Sequence, residues 1–376
     1  MPSFEILPQE TRKNFFSACS LIKEIFPIPG RFRGALPSQI AELSRLLTNN
    51  MGERPLSYLG RPNFLSAYIH YFLPWNIYRL CLLLHSIDLN LSSGDSVTDL
   101  GSGPLTFASA LWIARADLRN VPLEINCIDR CAPALEAGNK FFNALCASAN
   151  TWKINLIRDD IDIRRVTRKG NKSSLVCAVN LFNEIYGILP HSDTKALKHI
   201  ADNAAQLMSN MALKDGSVLT VEPGVPRSGQ FISLLRSSFF ETGRQPLSPC
   251  THVSDCPFFN NKKRWCHFAY EASDAPKELQ RLSAAADLPK ERLVFSYLLS
   301  AAVKKNNTEN KLRVISDAFP LPQNRFGRYG CCHKGLVLLA GERKQVENIS
   351  CGSLVPMTSE FKGKDEKSGA LIMEVI

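Results

Sequence analysis

The 376-residue chain contains no stretch of about 18 uninterrupted apolar residues, which argues against a membrane-spanning helix. Its longest candidate, 67–91, is broken by His70, Pro74, Asn76, Arg79, His85 and Asp88. The N-terminus has no long apolar core and carries Glu5 and Glu10 early. Neither a secretory signal nor an acid-poor transit peptide is expected from it. Without an export signal, the twelve cysteines are not expected to form a disulfide framework. In a reducing compartment they point to buried thiols, metal ligands or redox chemistry. No internal repeat is visible. Charged residues are only 21% against 45% apolar, which excludes a mostly disordered chain. The small excess of 45 Lys+Arg over 35 Asp+Glu gives a formal charge of +10. It suits a polyanionic partner, or only a solvated basic surface.

At roughly 100–200 residues per domain the length suggests two or three domains. Four regions are expected: 1–90, 91–248, 249–345 and a loosely ordered polar tail at 346–376. The first reads as a helical cap. Ile40, Leu43, Leu46 and Leu47 fall at helical spacing after Pro37-Ser38, and a second helical run spans Phe64 to Leu84. Pro74 is expected to split that run into two helices.

From Asp95 onward, strand and helix signals alternate. The expected strands are 95–100, 123–128, 155–158, 175–181 and 217–221, with helices over 105–116, 132–149 and 195–211. This alternation predicts an α/β domain with a parallel sheet covered on both faces. Further strands are expected at 293–303, 312–315 and 335–340.

Chemistry gathers at the strand ends. Asp99-Leu100-Gly101-Ser102-Gly103 lies between a strand and a helix, where glycines permit a tight turn and close approach to a ligand. Asp129 closes the next strand and is placed to accept ribose hydroxyls. Asp159 or Asp160 ends the third, where it can meet an adenine amino group. Asn183-Glu184 ends the fourth. Thr106 stands where a dinucleotide fingerprint needs a third glycine to admit a pyrophosphate. The pattern therefore resembles class I S-adenosylmethionine-dependent methyltransferases, whose ligand has no phosphate, more than nicotinamide enzymes. The segment lacks an Asn-Pro-Pro-Tyr type of motif for gripping an exocyclic base nitrogen. Cys177 reads as core rather than as a nucleophile.

Cys250, Cys256 and Cys266 fall within 17 residues of aperiodic chain. Buried thiolates need a cation, so this cluster suggests a metal site. Cys331 and Cys332 are candidates for a fourth ligand, Cys351 is a poorer one, and His252 or His267 could complete a zinc site instead. Thiolate softness does not separate zinc from a 4Fe–4S cluster.

These residues together resemble a methyltransferase-like family of small ribosomal subunit assembly. Its mitochondrial members include the Rsm-type small-subunit proteins and methyltransferase-like protein seventeen. The matching pieces are Leu73-Pro74-Trp75-Asn76-x-Tyr78-Arg79, Asp99 to Pro104, Asn183-Glu184, Val221 to Gly224, Pro249-Cys250-x-His252-x3-Cys256-Pro257, Trp265 to Phe268, Phe295 to Tyr297, and Cys331 to Gly335. They span about 33–341.

The resemblance implies a Rossmann methyltransferase domain binding S-adenosylmethionine through Asp99, Gly101, Ser102, Gly103, Asp129, Asp159 and Asp160. It implies Asn183 and Glu184 at the reacting end, and a 4Fe–4S cluster on Cys250, Cys256, Cys266 and Cys331. Cys331 is chosen over Cys332 because the family's cysteine lies four residues before a glycine, here Gly335. Leu105 replaces the family's last turn glycine and is expected to crowd the cofactor pocket. The implied partner is small-subunit rRNA or a pre-ribosomal particle. Lys262-Lys263-Arg264 and the run Arg164, Arg165, Arg168, Lys169 and Lys172 are the candidate phosphate contacts. Two functions compete: an enzyme methylating rRNA or a ribosomal protein, and an inactive, cluster-stabilised RNA-binding assembly factor. A monomer in the bacterial cytoplasm is expected, with a mitochondrial location the lesser alternative.

Overall fold

The computed structural model describes residues 7–48, 51–53, 55, 57–147, 151–163, 172–259, 261, 264–302, 310–357 and 360–375. The expected N-terminal helices are α1 (Gln9–Ile25), α2 (Gly30–Arg33), α3 (Leu36–Thr48), α4 (Pro62–Ala67) and α5 (Leu73–Ser86). Ile40 and Leu43 of α3 are fully buried, as their spacing requires. Pro74 does not split the second run. A π-helical turn at Tyr68–Phe72 joins α4 directly to α5, and Pro74 occupies the first turn of α5. The missing proline N–H and its crowded ring are tolerated there because the hydrogen-bond pattern has already shifted by one residue.

The alternating segment forms β1 (Ser96–Leu100), α6 (Thr106–Ala114), β2 (Glu124–Asp129), α7 (Ala132–Cys146), β3 (Lys153–Arg158), β4 (Ser173–Val179), α8 (Phe182–Tyr186), α9 (Thr194–Met211), β5 (Ala212–Pro223) and α10 (Pro226–Glu241). Asp193 starts α9 by accepting the Ala196 N–H at 2.9 Å. Then come β6 (Gln245–Ser248), β7 (Phe268–Glu271), α11 (Lys277–Ala285) and β8 (Arg292–Ala301). The strand order is β3-β2-β1-β4-β5-β8-β6, with β7 also on β8. Neighbours from β3 to β5 are parallel, whereas β8 runs antiparallel to β5, so the sheet is mixed rather than wholly parallel.

Strand alternation divides the core. Val97, Ile125, Leu175 and Leu219 face the layer containing α1, α5 and α6, while Val176, Ala178 and Val218 face α9 and α10. Both β6 and β7 pair with β8, through Ser248↔Leu299 and Phe268↔Phe295. The cysteine-rich stretch between them is thus an excursion pinned at both ends to one strand.

A second sheet contains β9 (Lys311–Val314), β10 (Phe319–Leu321), β11 (Arg325–Cys332), β12 (Gly335–Gly341), β13 (Leu354–Pro356) and β14 (Leu371–Glu374), with α12 (Arg343–Glu347) after β12. The tail is therefore partly ordered. Leu371 and Met373 pair with β12 and join the Leu312, Val314, Val337 and Leu339 core. No described helix is long and apolar enough to cross a membrane.

Candidate functional site

The first glycine turn is closed by the second strand's acid. Gly101 and Ser102 donate their N–H groups to the Ile128 carbonyl at 2.9 and 3.0 Å. Gly103 and Cys131 donate theirs to Asp129, at 2.9 Å to Oδ2 and 2.8 Å to Oδ1. Gly101 and Gly103 have φ of +70° and +52°, which favour glycine. Gly138 of α7 seals the turn from behind: an added Cβ would lie 2.3 Å from the Pro104 carbonyl carbon.

Leu105 also has a positive φ, 53°, costing roughly 1–2 kcal/mol for a non-glycine residue. Its side chain is fully buried among the helices and does not line the cleft described below. It does not crowd the pocket as its position in the motif suggests.

Asp99 lies beneath the turn, 1% exposed. It accepts the Ser102 hydroxyl at 2.6 Å and the Cys177 thiol at 3.5 Å. Burial pushes its carboxyl up to about 7, against the opposing hydrogen bonds from Ser102 and Cys177. Asp99 and Ser102 thus support the turn from inside, and Cys177 is core, as its strand position suggests.

A cleft of about 890 Å³ opens above the carboxyl ends of these strands. It brings together Gly101, Gly103, Asp129, Asp159, Asp160, Asn183 and Glu184, along with Trp75, Asn76 and Arg79 from the N-terminal motif. Arg130 reaches Asp160 at 3.8 Å and Glu184 at 3.9 Å, tying the second, third and fourth strand ends. Tyr58 donates to Glu184 at 2.9 Å. Burial raises the Asp129 carboxyl above the usual carboxylate range, with the two backbone N–H groups and Arg130 opposing the shift.

The fourth strand end is organised by Glu222, a residue with no role assigned from sequence. It is fully buried and accepts the Phe182 and Asn183 N–H groups at 3.0 Å each and the Tyr186 hydroxyl at 3.1 Å. Burial pushes its carboxyl up to about 8 despite those donors. Asn183's side-chain amide nitrogen, in the orientation that satisfies it, donates to the Asn180 carbonyl at 2.7 Å and to Glu222 at 3.3 Å. Asn180 itself has φ +52°, and its Oδ1 is buried with no partner among the described residues. Glu222 was visible as part of a motif, but a carboxylate serving three donors leaves no local signature. Arg79 likewise stands in a matched motif with no role assigned, and Arg130 and Lys290 carry no local sequence signal at all.

The cysteines converge from two sheets. Cys331 lies on β11, and its thiol is pushed far up by burial and by the neighbouring Cys250, Cys256, Cys266 and Cys332. Cys266 is raised by burial, then by Cys250, Cys256 and Cys351. Cys332 points oppositely, fully buried with Leu312, Val314 and Val337. Arg313 and Arg236 brace the loop, donating to the Pro249 and Gly352 carbonyls and to the His252 and Ser254 carbonyls. His252 lies 3.4 Å from the Cys331 sulfur, whereas His267 stacks on Trp265. Among the described residues no three His, Cys, Asp or Glu side chains close tightly enough to hold a single metal ion. That holds for the expected zinc ligands and for the expected cluster ligands alike.

The cysteine loop touches the cleft wall. Trp265 Nε1 donates to the Gly224 carbonyl at 3.0 Å, and Ser296 holds the Cys266 carbonyl at 2.8 Å. Arg264 is committed to the Ser368 carbonyl and the Tyr329 ring rather than projecting as a free phosphate contact. Lys262, Lys263, Arg164, Arg165, Arg168 and Lys169 lie outside the described residues; Lys172 lies within them.

Five parallel strands ordered 3-2-1-4-5, extended by a reversed strand, define a Rossmann-like methyltransferase fold with added N-terminal helices. Residues 67–320 match the family described as mitochondrial small ribosomal subunit Rsm22, and the chain belongs to that family. The chain is also similar to solved structures. One is a SAM-dependent methyltransferase from Geobacter sulfurreducens in complex with S-adenosyl-L-homocysteine, with 13% identity over 59% of this chain and 90% of that one, TM-score 0.33. Another is magnesium protoporphyrin IX methyltransferase from Synechocystis PCC 6803 with bound SAM, with 11% identity over 70% and 97%, TM-score 0.35. TrmN from Thermus thermophilus has 13% identity over 69% and 53%, TM-score 0.33. No curated protein matches the chain.

Proposed function

We propose that this chain binds S-adenosylmethionine in the strand-end cleft and acts on the small ribosomal subunit, with rRNA as its partner. The observation that carries the reading is the convergence of Gly101, Gly103, Asp129, Asp160 and Glu184 on one cleft at the switch between β1 and β4. The donor would supply an electrophilic methyl group on its sulfonium. Asp129 keeps one unused lone-pair direction on each oxygen after binding two N–H groups, enough to accept ribose hydroxyls. Asp159 and Asp160 line the adenine side, and Glu184, held by Tyr58 and Arg130, faces the reacting end. Methyl transfer depends mainly on alignment, which this braced wall supports.

In the same reading, Cys250, Cys256, Cys266 and Cys331 hold a 4Fe–4S cluster. Burial and the neighbouring Cys250, Cys256 and Cys266 push the Cys331 thiol far up, so thiolates gathered here need a positive centre, and the four-cysteine donor set suits such a cluster. The cluster would supply that positive centre and cross-link the loop to β11. A non-catalytic scaffold is the second reading. It is favoured by the commitment of Asn183's amide to Asn180 and Glu222 rather than to the cleft.

Incubating the anaerobically purified protein with labelled S-adenosylmethionine and immature small subunits tests the pair. Label in rRNA or a ribosomal protein, absent with Glu184→Gln, supports the enzyme. Particle binding with no label from either protein supports the scaffold. No particle binding would contradict both.

A further inference from the structure

The cleft has two electrostatically distinct walls. On one, Arg130 is shared between Asp160 and Glu184. Arg292, another cleft cation, is held by Asp317 at 2.7 Å and by Glu271 at 3.7 Å. The remaining two, Arg79 and Lys290, have no carboxylate within ion-pair distance among the described residues. Arg79 is half-buried and bonds only to the neutral Asn76 amide oxygen. Lys290 precedes β8, lines the cleft, is exposed, and makes no ion pair or hydrogen bond among the described residues.

Arg79 is placed against its own charge. Loss of hydration lowers the Arg79 guanidinium to about 10. Arg79 lies close enough to repel Lys290. The groups whose charge favours the Arg79 guanidinium are Tyr68 and then Glu222. Glu222 makes no ion pair with Arg79 among the described residues, and its oxygens are taken by the Phe182, Asn183 and Tyr186 donors. A partly buried guanidinium without an anion is unfavourable unless a ligand provides one.

The position indicates which ligand. Gly103, Asp129 and Asp160 lie at the ends of β1, β2 and β3 and their turns. Arg79 feels Tyr68 and then Glu222, the latter at the end of β5, and Lys290 leads into β8, which pairs Phe295 with Pro223. Lys290 thus lies on the β5/β8 side of the cleft, across the β1/β4 switch from Asp129 and Asp160, with Arg79 near enough to repel it.

We infer that Arg79 and Lys290 form an anion subsite on the acceptor side of the cleft, which receives a phosphate of the RNA strand presented for reaction. Guanidinium supplies directed donors to phosphate oxygens, and ammonium supplies a mobile point charge. The assignment rests on the proposed function for the identity of the acceptor, but the presence of the subsite does not.

The test uses the full chain and three ligands: inorganic phosphate, S-adenosylhomocysteine and a small-subunit rRNA fragment. Calorimetry should show phosphate binding weakened about 5- to 10-fold by Lys290→Gln and by Arg79→Gln. RNA affinity should fall in parallel, with the salt slope reduced by roughly one per variant. S-adenosylhomocysteine affinity should stay within about two-fold, which also reports that the variants are folded. Should Arg79→Gln fail to fold, Lys290→Gln carries the test alone. Unchanged phosphate and RNA binding in Lys290→Gln would overturn the subsite. Loss of S-adenosylhomocysteine affinity with RNA binding intact would overturn it too, because the pair would then serve the donor's carboxylate. If the wild type binds phosphate but not S-adenosylhomocysteine, the donor reading fails while the phosphate result still supports the subsite.

Discussion

The Asp129 carboxylate accepts the Gly103 N–H at 2.9 Å, so the acid that ends the second strand also closes the turn after the first. This turn has little freedom. Gly138 packs so closely behind it that a single added methyl would meet the Pro104 backbone.

Gly138→Ala should therefore displace the turn. Overpacking of this kind costs about 1–3 kcal/mol, because the opposing atoms are backbone and cannot rotate away. Urea unfolding should show that loss, and donor affinity should fall with it. Gly34→Ala is the control: its added Cβ meets nothing within 4 Å and its φ is −67°. It should be neutral or slightly stabilising. Equal stability of the two variants would contradict the packing argument.

Asp99 makes stability depend on pH. Its folded carboxyl is raised to about 7, against about 4 in an unfolded chain. Between those values the folded state retains a proton that the unfolded chain releases, so stability falls as pH rises through that window. Asp99→Asn keeps the shape and an acceptor for Ser102 but cannot ionise. Its unfolding free energy relative to wild type should rise from pH 5 to pH 7, by at most about 1.4 kcal/mol per pH unit. A pH-independent difference would show that Asp99 ionises normally.

Glu222→Ala removes the acceptor of the Phe182 and Asn183 N–H groups. Leaving buried donors unpaired costs about 1–3 kcal/mol. The Asn183-Glu184 turn should loosen, with faster hydrogen exchange at Phe182 and Asn183 than at Ala134 of α7. Unchanged exchange at those two amides would refute Glu222's anchoring role.

Cys331 and Cys332 should behave oppositely. Cys331→Ser should lose brown colour, iron and acid-labile sulfide in anaerobic preparations. Cys332→Ser should keep all three and lose only stability, because its side chain packs with Leu312, Val314 and Val337. Loss of iron from Cys332→Ser alone would reverse the assignment. One zinc per chain in a colourless protein would replace the cluster reading.

The strands β1 to β5 are legible in the sequence because each is a short apolar run ending at a turn or an acid, which is local information. The helix through Pro74 is not, because its π-turn depends on packing around Tyr71 and Trp75, both buried. Leu371 and Met373 look like a polar tail's stray hydrophobics until β12, more than thirty residues earlier, gives them a strand to pair with. The same distinction holds at the site. Gly101, Gly103 and Asp129 announce themselves by spacing from strand ends. Glu222, Arg79 and Lys290 acquire meaning only from what folding places beside them.

Titration of S-adenosylhomocysteine into the wild type and Asp129→Ala, with unfolding followed in parallel, tests the central claim most directly. The account predicts one site per chain in the wild type. In the variant it predicts at least about ten-fold weaker binding, together with about 1–3 kcal/mol lower stability from the unpaired Gly103 and Cys131 N–H groups. No binding by the folded wild type, or equal affinity in the two proteins, would contradict it.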